Sequence, residues 1–175
     1  MSRPLLLYWV LLGVVVLERV LELVVSRRHA RTLARRGAVE HGAGHYPAMV
    51  LLHGSLLAGC ALEPWLAGRA FLPALGLPML ALVLAAQALR WWCVATLGVH
   101  WSTRVLVLGG APRIAGGPYR WLRHPNYVAV IIEGIALPLV HSAWLTAATF
   151  TLLNAWLLTV RVRVEDRALR AMRPA

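Results

Sequence analysis

The sequence has no lysine and few charged side chains of any kind. Its 18 basic residues are all arginine, its acids number seven, and charged residues make up 14% of the 175 residues. A soluble domain usually has about a quarter charged residues, so this chain lacks the polar surface to cover itself in water. Apolar residues reach 59% and the mean hydropathy is +0.66. The composition therefore predicts a protein whose solvent is lipid.

Cysteine is also scarce, because only Cys60 and Cys93 occur and they are far apart in the sequence. This excludes a disulfide-stapled scaffold and a cysteine-based zinc site, and we expect no metal. The sequence contains no HExxH motif, no phosphate-binding P-loop and no GxGxxG fingerprint. The net charge of +11 would suggest nucleic acid in a soluble protein, but the arginines lie between apolar runs. We therefore expect membrane lipids as partners, and no nucleic acid.

The apolar runs predict an all-α integral membrane protein of about five transmembrane helices, because backbone in lipid must hydrogen-bond within its own segment. The runs cover residues 4–25, 46–62, 70–89 and 127–160. The last run is too long for one crossing and slightly short for two. Pro138, His141 and Ser142 lie near its middle. We therefore predict that the last two helices form a tight hairpin with a turn at these residues.

Three groups of five arginines lie on alternate ends of the predicted spans. They are Arg27, Arg28, Arg31, Arg35 and Arg36; Arg90, Arg104, Arg113, Arg120 and Arg123; and Arg161, Arg163, Arg167, Arg170 and Arg173. The positive-inside rule then places the N-terminus outside and the C-terminus in the cytoplasm. The lysine-free, arginine- and alanine-rich composition suggests a bacterium, and hence its inner membrane. Residues 27–36 are interpreted as a solvated loop that faces lipid headgroups.

These spans predict a single domain in four consecutive parts. They are three N-terminal helices (1–89), a cytoplasmic segment (90–126), the hairpin (127–163) and a cytoplasmic tail (164–175). The Gly-Gly-Ala-Pro and Gly-Gly-Pro groups in the cytoplasmic segment mark turns, so we expect loops and short helices there.

The run Arg123-His124-Pro125-Asn126-Tyr127 marks the start of the fourth helix. Proline suits the first turn of a helix, where its missing N–H costs nothing. The free N–H groups of such a helix end suit an anion such as a carboxylate, and Arg123 and His124 stand beside that end. Arginine and histidine are also common topology signals at a cytoplasmic boundary, and the sequence alone does not separate the two interpretations.

Other polar residues have two interpretations as well. The acids Glu165 and Asp166 could pair with neighbouring arginines, or accept hydrogen bonds from a ligand. Glu133 and Asn154 fall inside the hairpin helices, where ionisable groups suggest function, although an interhelical hydrogen bond would also explain them. We interpret three residues of the first helix as an internal pairing that eases burial, and His53 as a packing residue. The three are Glu18, Arg19 and Glu22.

Taken together, the motifs resemble the isoprenylcysteine carboxyl methyltransferase family. The resemblance covers about residues 85–169. Its motifs are, in order, Leu89-Arg90, Leu97-Gly98, Gly117-Pro118-Tyr119-Arg120, the run at 123–127, and Arg163-Val164-Glu165-Asp166-Arg167-Ala168-Leu169. This chain has a Glu-Asp pair where the family usually has Glu-Glu, which shortens one side chain.

The resemblance implies an integral membrane methyltransferase that uses S-adenosylmethionine. Carried over by motif, the cofactor-binding residues would be Tyr119, Arg123, His124, Pro125, Tyr127 and Glu165. The arginine that matches Arg90 would lie at the reaction centre, near the methyl acceptor. The cofactor's carboxylate suits His124 and the helix N-terminus, and its cationic sulfonium suits the aromatic face of Tyr127.

The RHPNY segment and the Trp91-Trp92 pair resemble short bacterial members that O-methylate alkylpyrones or alkylresorcinols. We therefore favour a long-chain pyrone or phenol as the acceptor. An ionised pyrone needs no general base, whereas a resorcinol with a pKa of about 10 would need one. Glu133 is the intramembrane candidate for that base on helix four. Three alternatives stay open: carboxyl methylation of a prenylated cysteine, a membrane NADPH-dependent sterol-type reductase, and a non-enzymatic membrane scaffold.

Overall fold

Long helices form most of the chain in the computed structural model, which describes residues 2–111 and 114–171. The α-helices in these ranges are α1 (Arg3–Arg35), α2 (Tyr46–Leu66), α3 (Pro73–Leu97), α4 (Pro125–Leu139) and α5 (Trp144–Ala171). Short 3-10 turns cover Ala43–His45, Gly98–His100 and Gly117–Arg120. Two strands, β1 (Val39–His41) and β2 (Val105–Val107), pair antiparallel. Apart from this small sheet, which the sequence did not predict, the described chain is all-α.

Four of the described helices, α1, α2, α3 and α5, are long and apolar enough to cross a membrane. At 15 residues, α4 is shorter than the roughly 20 that a full crossing needs. It packs against α3 and α5, and a turn at residues 140–143 joins it to α5. The predicted membrane fold of five helices that ends in a tight hairpin is confirmed, with α4 as the short arm.

The apolar surface agrees with a lipid environment. Large apolar side chains on the outer helix faces are exposed, for example Leu7, Leu51 and Leu152, the last at 74% exposure. A water-soluble monomer rarely exposes so much contiguous apolar surface. The main core lies where the first half of α1 meets α2, α3 and the hairpin. Its buried members are Leu5, Tyr8, Leu12, Val15, Leu56, Cys60, Val83, Ala136, Leu137, Val140 and Phe150.

The hairpin turn is held by polar contacts from α1 and α2. The Tyr8 hydroxyl donates to the carbonyl oxygen of Leu137 at 2.9 Å. The Glu63 carboxylate accepts from the backbone N–H groups of Leu145 and Thr146, at 3.1 and 2.7 Å, and thereby caps the start of α5. Helix N-termini carry unsatisfied N–H groups and a partial positive charge, so a carboxylate here stabilises α5.

The opposite end of the bundle, which we call the sheet end, gathers the arginine-rich connections. The pairing of β1 with β2 joins the connection after α1 to the connection after α3. Val105 and Val107 of β2 pack against Ala168 near the end of α5. The structure thus places on one side of the bundle the three regions that the arginine distribution grouped together.

Three predicted boundaries are wrong, each because a helix continues further. α1 runs to Arg35, so residues 27–35 are helical and not a loop; arginine favours helices, and the first break is Gly37 at φ +85°. α3 runs to Leu97, so Arg90 lies inside a helix and not at the start of a loop. α5 runs to Ala171, so the supposed tail is helical as far as it is described, and residues 172–175 fall outside the described ranges.

Candidate active site

A cavity of about 440 Å³ opens at the sheet end, between β2, the start of α4 and the end of α5. Small-molecule sites usually measure roughly 300–1,000 Å³, so this cavity has the size of a ligand site. Five of the six predicted cofactor-binding residues line it. They are Tyr119, Arg123, His124, Tyr127 and Glu165. We call it the sheet-end cavity.

The start of α4 forms one wall of the sheet-end cavity. Pro125, the sixth predicted residue, is fully buried and is not among the lining residues; it occupies the first turn of α4 and sets the helix entry. His124 precedes it, and the His124 side chain makes no capping hydrogen bond at this helix end. His124 Nε2 and Asn126 Oδ1 are buried, and neither makes a hydrogen bond to any described residue. These polar atoms and the positive end of the α4 dipole are available to a ligand.

Tyr127 connects α4 to α5 through two hydrogen bonds. Arg161 Nε donates to the Tyr127 hydroxyl oxygen at 2.9 Å, and the Tyr127 hydroxyl donates to Glu165. Arg161 Nη2 also donates to the Thr103 carbonyl oxygen at 2.7 Å, which ties the loop before β2 to this group. Arg161 is buried, and it lies four residues before Glu165 on the same face of α5. The three side chains therefore hold one another in fixed positions.

Basic and acidic side chains lie next to each other in the site. Arg123 Nη2 lies 3.1 Å from Asp166 Oδ1, and His124 Nδ1 lies 3.7 Å from Glu165 Oε1. His124 Nε2 and Asp166 Oδ1 are 3.4 Å apart, yet neither atom makes a hydrogen bond within the described residues. The Arg123 guanidinium beside a helix N-terminus suits a carboxylate, and the acids of α5 suit hydroxyl or ammonium groups. The arrangement is complementary to a zwitterion that also carries hydroxyl groups.

Tyr119 lies on the α3 side of the sheet-end cavity. Two residues before it lies Gly117, whose φ is +51°. A Cβ added at Gly117 would lie 3.1 Å from both Thr96 Cγ2 and Trp92 Nε1. Glycine is therefore required for this turn to approach α3 so closely. Burial and the neighbouring Cys93 thiol raise the pKa of Tyr119. Its hydroxyl thus remains protonated at physiological pH and can donate a hydrogen bond.

Deeper in the bundle, Arg90 of α3 and Glu133 of α4 form a buried hydrogen-bonded ion pair. Residues of α1 complete the group: Arg19 Nη1 lies 2.7 Å from Glu22 Oε2 and Arg19 Nη2 lies 3.7 Å from Glu133 Oε1. Gln87 accepts from Arg19 at 2.8 Å. We call this group the buried ion cluster. Its members are Glu18, Arg19, Glu22, Gln87, Arg90 and Glu133.

The buried ion cluster and the sheet-end cavity are neighbours along the same helices. Leu97 lines the cavity seven residues after Arg90, and Tyr127 lines it six residues before Glu133. At 1.5 Å per residue, the cluster lies about 10 Å deeper along the helix axes. Tyr119 approaches Cys93, less than one turn from Arg90, and thus lies between the two.

The family model of the isoprenylcysteine carboxyl methyltransferase family matches residues 79–171, more than half of the chain. The chain belongs to this family. It is therefore an integral membrane methyltransferase, and the methyltransferases of the isoprenylcysteine carboxyl methyltransferase family use S-adenosylmethionine. The matched range contains all eight predicted site residues, whereas α1 lies outside it.

Two relatives are similar over nearly their whole length. The uncharacterized protein YpbQ of Bacillus subtilis (strain 168) is 34% identical over 164 residues, which cover 94% of this chain and 97% of that protein. An uncharacterized protein of Haemophilus influenzae (strain ATCC 51907 / DSM 11121 / KW20 / Rd) is 25% identical over 157 residues, covering 89% and 91%. Similarity to these two relatives therefore extends beyond residues 79–171 into the N-terminal helices.

For this family member, the structure brings Arg90 and Glu133 together and places the RHPNY segment against α5. Sequence reasoning counted Arg161 among the topology arginines and as a neighbour with which the acids could pair, and it missed the contact with Tyr127. Its spacing of four residues from Glu165 was the available signal. The contact of Arg19 and Glu22 with Arg90 was also missed. The interpretation of His53 as a packing residue is confirmed, because its Nδ1 donates to the Met49 carbonyl at 2.8 Å and its ring packs edge-on against Phe150.

Proposed function

We propose that this membrane methyltransferase transfers the methyl group of S-adenosylmethionine to an oxygen of a lipophilic acceptor, a long-chain pyrone or phenol. The observation that carries the cofactor assignment is the sheet-end cavity itself. It sets Arg123, His124 and the start of α4 beside two carboxylates, and its buried His124 Nε2 and Asn126 Oδ1 lack partners among the described residues. This pattern fits the amino acid end and the ribose hydroxyls of the cofactor.

The residues of the sheet-end cavity have distinct expected roles. Arg123, His124 and the start of α4 would hold the cofactor carboxylate. Glu165 and Asp166 would accept hydrogen bonds from its ammonium and ribose hydroxyl groups. The Tyr127 ring would face its sulfonium, because a cation is attracted to an aromatic face. When bound, the cofactor supplies an electrophilic methyl group for in-line displacement.

The chain itself contributes positioning and exclusion of water. Methyl transfer by in-line displacement depends chiefly on holding the two reactants in the correct geometry. Arg161 and Glu165 hold the Tyr127 hydroxyl from both sides, which fixes its ring. In the buried ion cluster, Arg90 would orient the acceptor oxygen by a charge-assisted contact. The acceptor's alkyl chain would enter from the bilayer between the helices.

The proposed orientation follows from the arginine-rich sheet end. By the positive-inside rule, that end would lie on the cytoplasmic side of a bacterial inner membrane, with the N-terminus outside. The sheet-end cavity would then open to the compartment that holds soluble cofactor, while the acceptor stays in the membrane.

Methyl transfer by purified protein in detergent tests the proposal. Methyl-labelled S-adenosylmethionine is offered with an alkylpyrone, an alkylresorcinol or a farnesylated cysteine, and each product is treated with mild base. We expect label on the pyrone or phenol that survives base, as an ether does. Label released as methanol from the farnesylated cysteine would instead establish carboxyl methylation and overturn the proposed acceptor.

The same preparation separates the remaining alternatives. Binding of NADPH without binding of S-adenosylmethionine would indicate a reductase. Absence of any cofactor binding would indicate a scaffold. The matched variants for the assay are His124→Ala, which alters the sheet-end cavity, and Arg31→Ala, which removes an exposed cation from α1.

A further inference from the structure

The buried ion cluster contains more negative than positive groups. It holds three carboxylates, Glu18, Glu22 and Glu133, and two guanidinium groups, Arg19 and Arg90. His53 of α2 is a further titratable side chain that approaches it. His53 uses its Nδ1 proton on the Met49 carbonyl. With His53 neutral, the described cluster has one carboxylate more than its cations can balance, and an uncompensated buried charge is costly.

Glu22 and Arg90 also have unused hydrogen-bonding capacity. Glu22 Oε1 and Arg90 Nε are 3.6 Å apart, and neither makes a hydrogen bond within residues 2–111 and 114–171. Both residues are deeply buried, at 4% and 5% exposure. Glu18 differs, because its two oxygens accept from Gln87 and Trp91. A free acceptor and a free donor side by side are complementary to one hydroxyl group, which donates to the carboxylate and accepts from the guanidinium.

We propose that Glu22 is the proton acceptor for an un-ionised hydroxyl of the methyl acceptor, bound against Glu22 Oε1 and Arg90 Nε. This inference rests on the proposed function and narrows its acceptor to an alkylated phenol. A carboxylate acceptor would add negative charge to a cluster that already has an excess of it. An ionised carboxylate also has no hydrogen that it could donate to Glu22. A neutral phenol meets neither obstacle.

The proposed reaction is balanced in atoms and charge. The phenol O–H bond breaks and its proton moves to Glu22 Oε1, while Arg90 stabilises the phenolate. The phenolate oxygen forms a bond to the cofactor's methyl carbon, and the bond from that carbon to sulfur breaks with its electron pair on sulfur. The products are a methyl ether and a neutral thioether. Glu22 then returns its proton to solvent. Glu22 lies outside residues 79–171, so the family motif does not assign it.

The first test compares two acceptors in the Glu22→Gln variant. With an alkylresorcinol, we expect the rate of methyl transfer at neutral pH to fall by about 100-fold or more, the usual contribution of a general base. With an acidic alkylpyrone, which is already ionised and needs no base, we expect no loss of rate, because the variant removes a negative charge that opposes binding of an anion. The residual rate on the resorcinol should rise tenfold per pH unit toward the phenol pKa of about 10, because only spontaneously formed phenolate then reacts. Glu40→Gln, which alters an exposed ion pair, is the control.

A second readout does not depend on turnover. In the complex with S-adenosylhomocysteine and an alkylresorcinol, the ultraviolet difference spectrum reports whether the bound phenol is ionised. We expect a phenolate signal in the wild type and in Glu40→Gln, and its loss in Glu22→Gln. If Glu22→Gln does not fold, as judged by cofactor binding, Glu22→Asp keeps the charge but withdraws it by one methylene. That variant should lose rate on the phenol and not on the pyrone.

The outcomes separate this inference from the proposed function. Equal losses on both acceptors would show that Glu22 is structural, and an unchanged rate on the phenol would show that it is not the base. Transfer by the wild type to the pyrone alone would overturn the phenol acceptor and leave the proposed function intact. Transfer to neither acceptor would overturn the proposed function itself.

Discussion

Arg90 of α3 donates a hydrogen bond to Glu133 of α4 across 43 residues of sequence, with both side chains buried inside the helix bundle. Ionisable groups at such positions in a membrane protein are expensive and usually mark function. The pair lies about 10 Å along the helices from the sheet-end cavity, on the membrane side of it. This geometry separates the proposed cofactor site at the bundle end from the proposed acceptor site deeper between the helices.

Removal of Arg90 alone should be strongly destabilising. In Arg90→Met, Glu133 loses its hydrogen-bonded partner, and breaking a buried pair in this way costs about 3–5 kcal/mol of folding free energy. The double variant Arg90→Met/Glu133→Met removes one charge of each sign and should recover most of that loss while remaining inactive. Thermal unfolding in detergent measures both. Equal destabilisation of the single and double variants would show that Arg90 stabilises the bundle by packing and not by pairing.

His124→Ala should weaken cofactor binding without unfolding the protein. His124 stacks on Tyr127 with ring centroids 5.3 Å apart, and its buried Nε2 is unpaired among the described residues. A hydrogen bond to a charged ligand contributes about 1.5–3 kcal/mol, so the Kd for S-adenosylmethionine should rise about 10- to 100-fold. Equilibrium dialysis measures this, with Arg31→Ala as the control. An unchanged Kd in His124→Ala would remove His124 from the site.

Tyr127→Phe should loosen the site while keeping the aromatic ring. The change removes the hydroxyl that accepts from Arg161 and donates to Glu165, and leaves a buried guanidinium N–H without its partner. An unsatisfied buried polar group costs about 1–3 kcal/mol. We expect a lower unfolding temperature and a higher cofactor Kd together. A change in Kd with no change in unfolding temperature would show that the Tyr127 hydroxyl serves the ligand alone.

Gly134→Ala should destabilise the hairpin. A Cβ at Gly134 of α4 would overlap the ring of Phe150 in α5, and that ring is buried and packs edge-on against His53. Overpacking of this kind costs about 1–3 kcal/mol. The control is Gly54→Ala in α2, where an added Cβ meets open space. Gly134→Ala/Phe150→Leu should restore stability, and failure of that rescue would place the strain elsewhere.

The helices were predictable from the apolar runs, because a segment that crosses lipid needs apolar side chains and backbone hydrogen bonds within itself. The hairpin was predictable because the last run is too long for one crossing and slightly short for two. The ends of α1 and α5 were not, because runs of arginine resemble a solvated loop in composition. Helix propensity was the better guide there: between Arg27 and Arg35 no glycine or proline interrupts the helix.

The cavity residues were predictable from the RHPNY run and the Glu-Asp pair. The first motif starts α4 and the second lies near the end of α5, and these two helix ends meet at the sheet end. The buried ion cluster was not predictable. Its members come from α1, α3 and α4, and the sequence gives no rotation of one helix relative to another. The β1–β2 pairing was missed for a similar reason, since three-residue strands 64 or more residues apart leave no periodic pattern.

Equilibrium binding of cofactor to the purified wild-type protein tests the central claim most directly. We predict saturable binding of labelled S-adenosylmethionine that excess S-adenosylhomocysteine displaces and excess NADPH does not. Binding that NADPH displaces, or no saturable binding of S-adenosylmethionine by folded protein, would contradict the assignment of the sheet-end cavity as the site of the methyl donor.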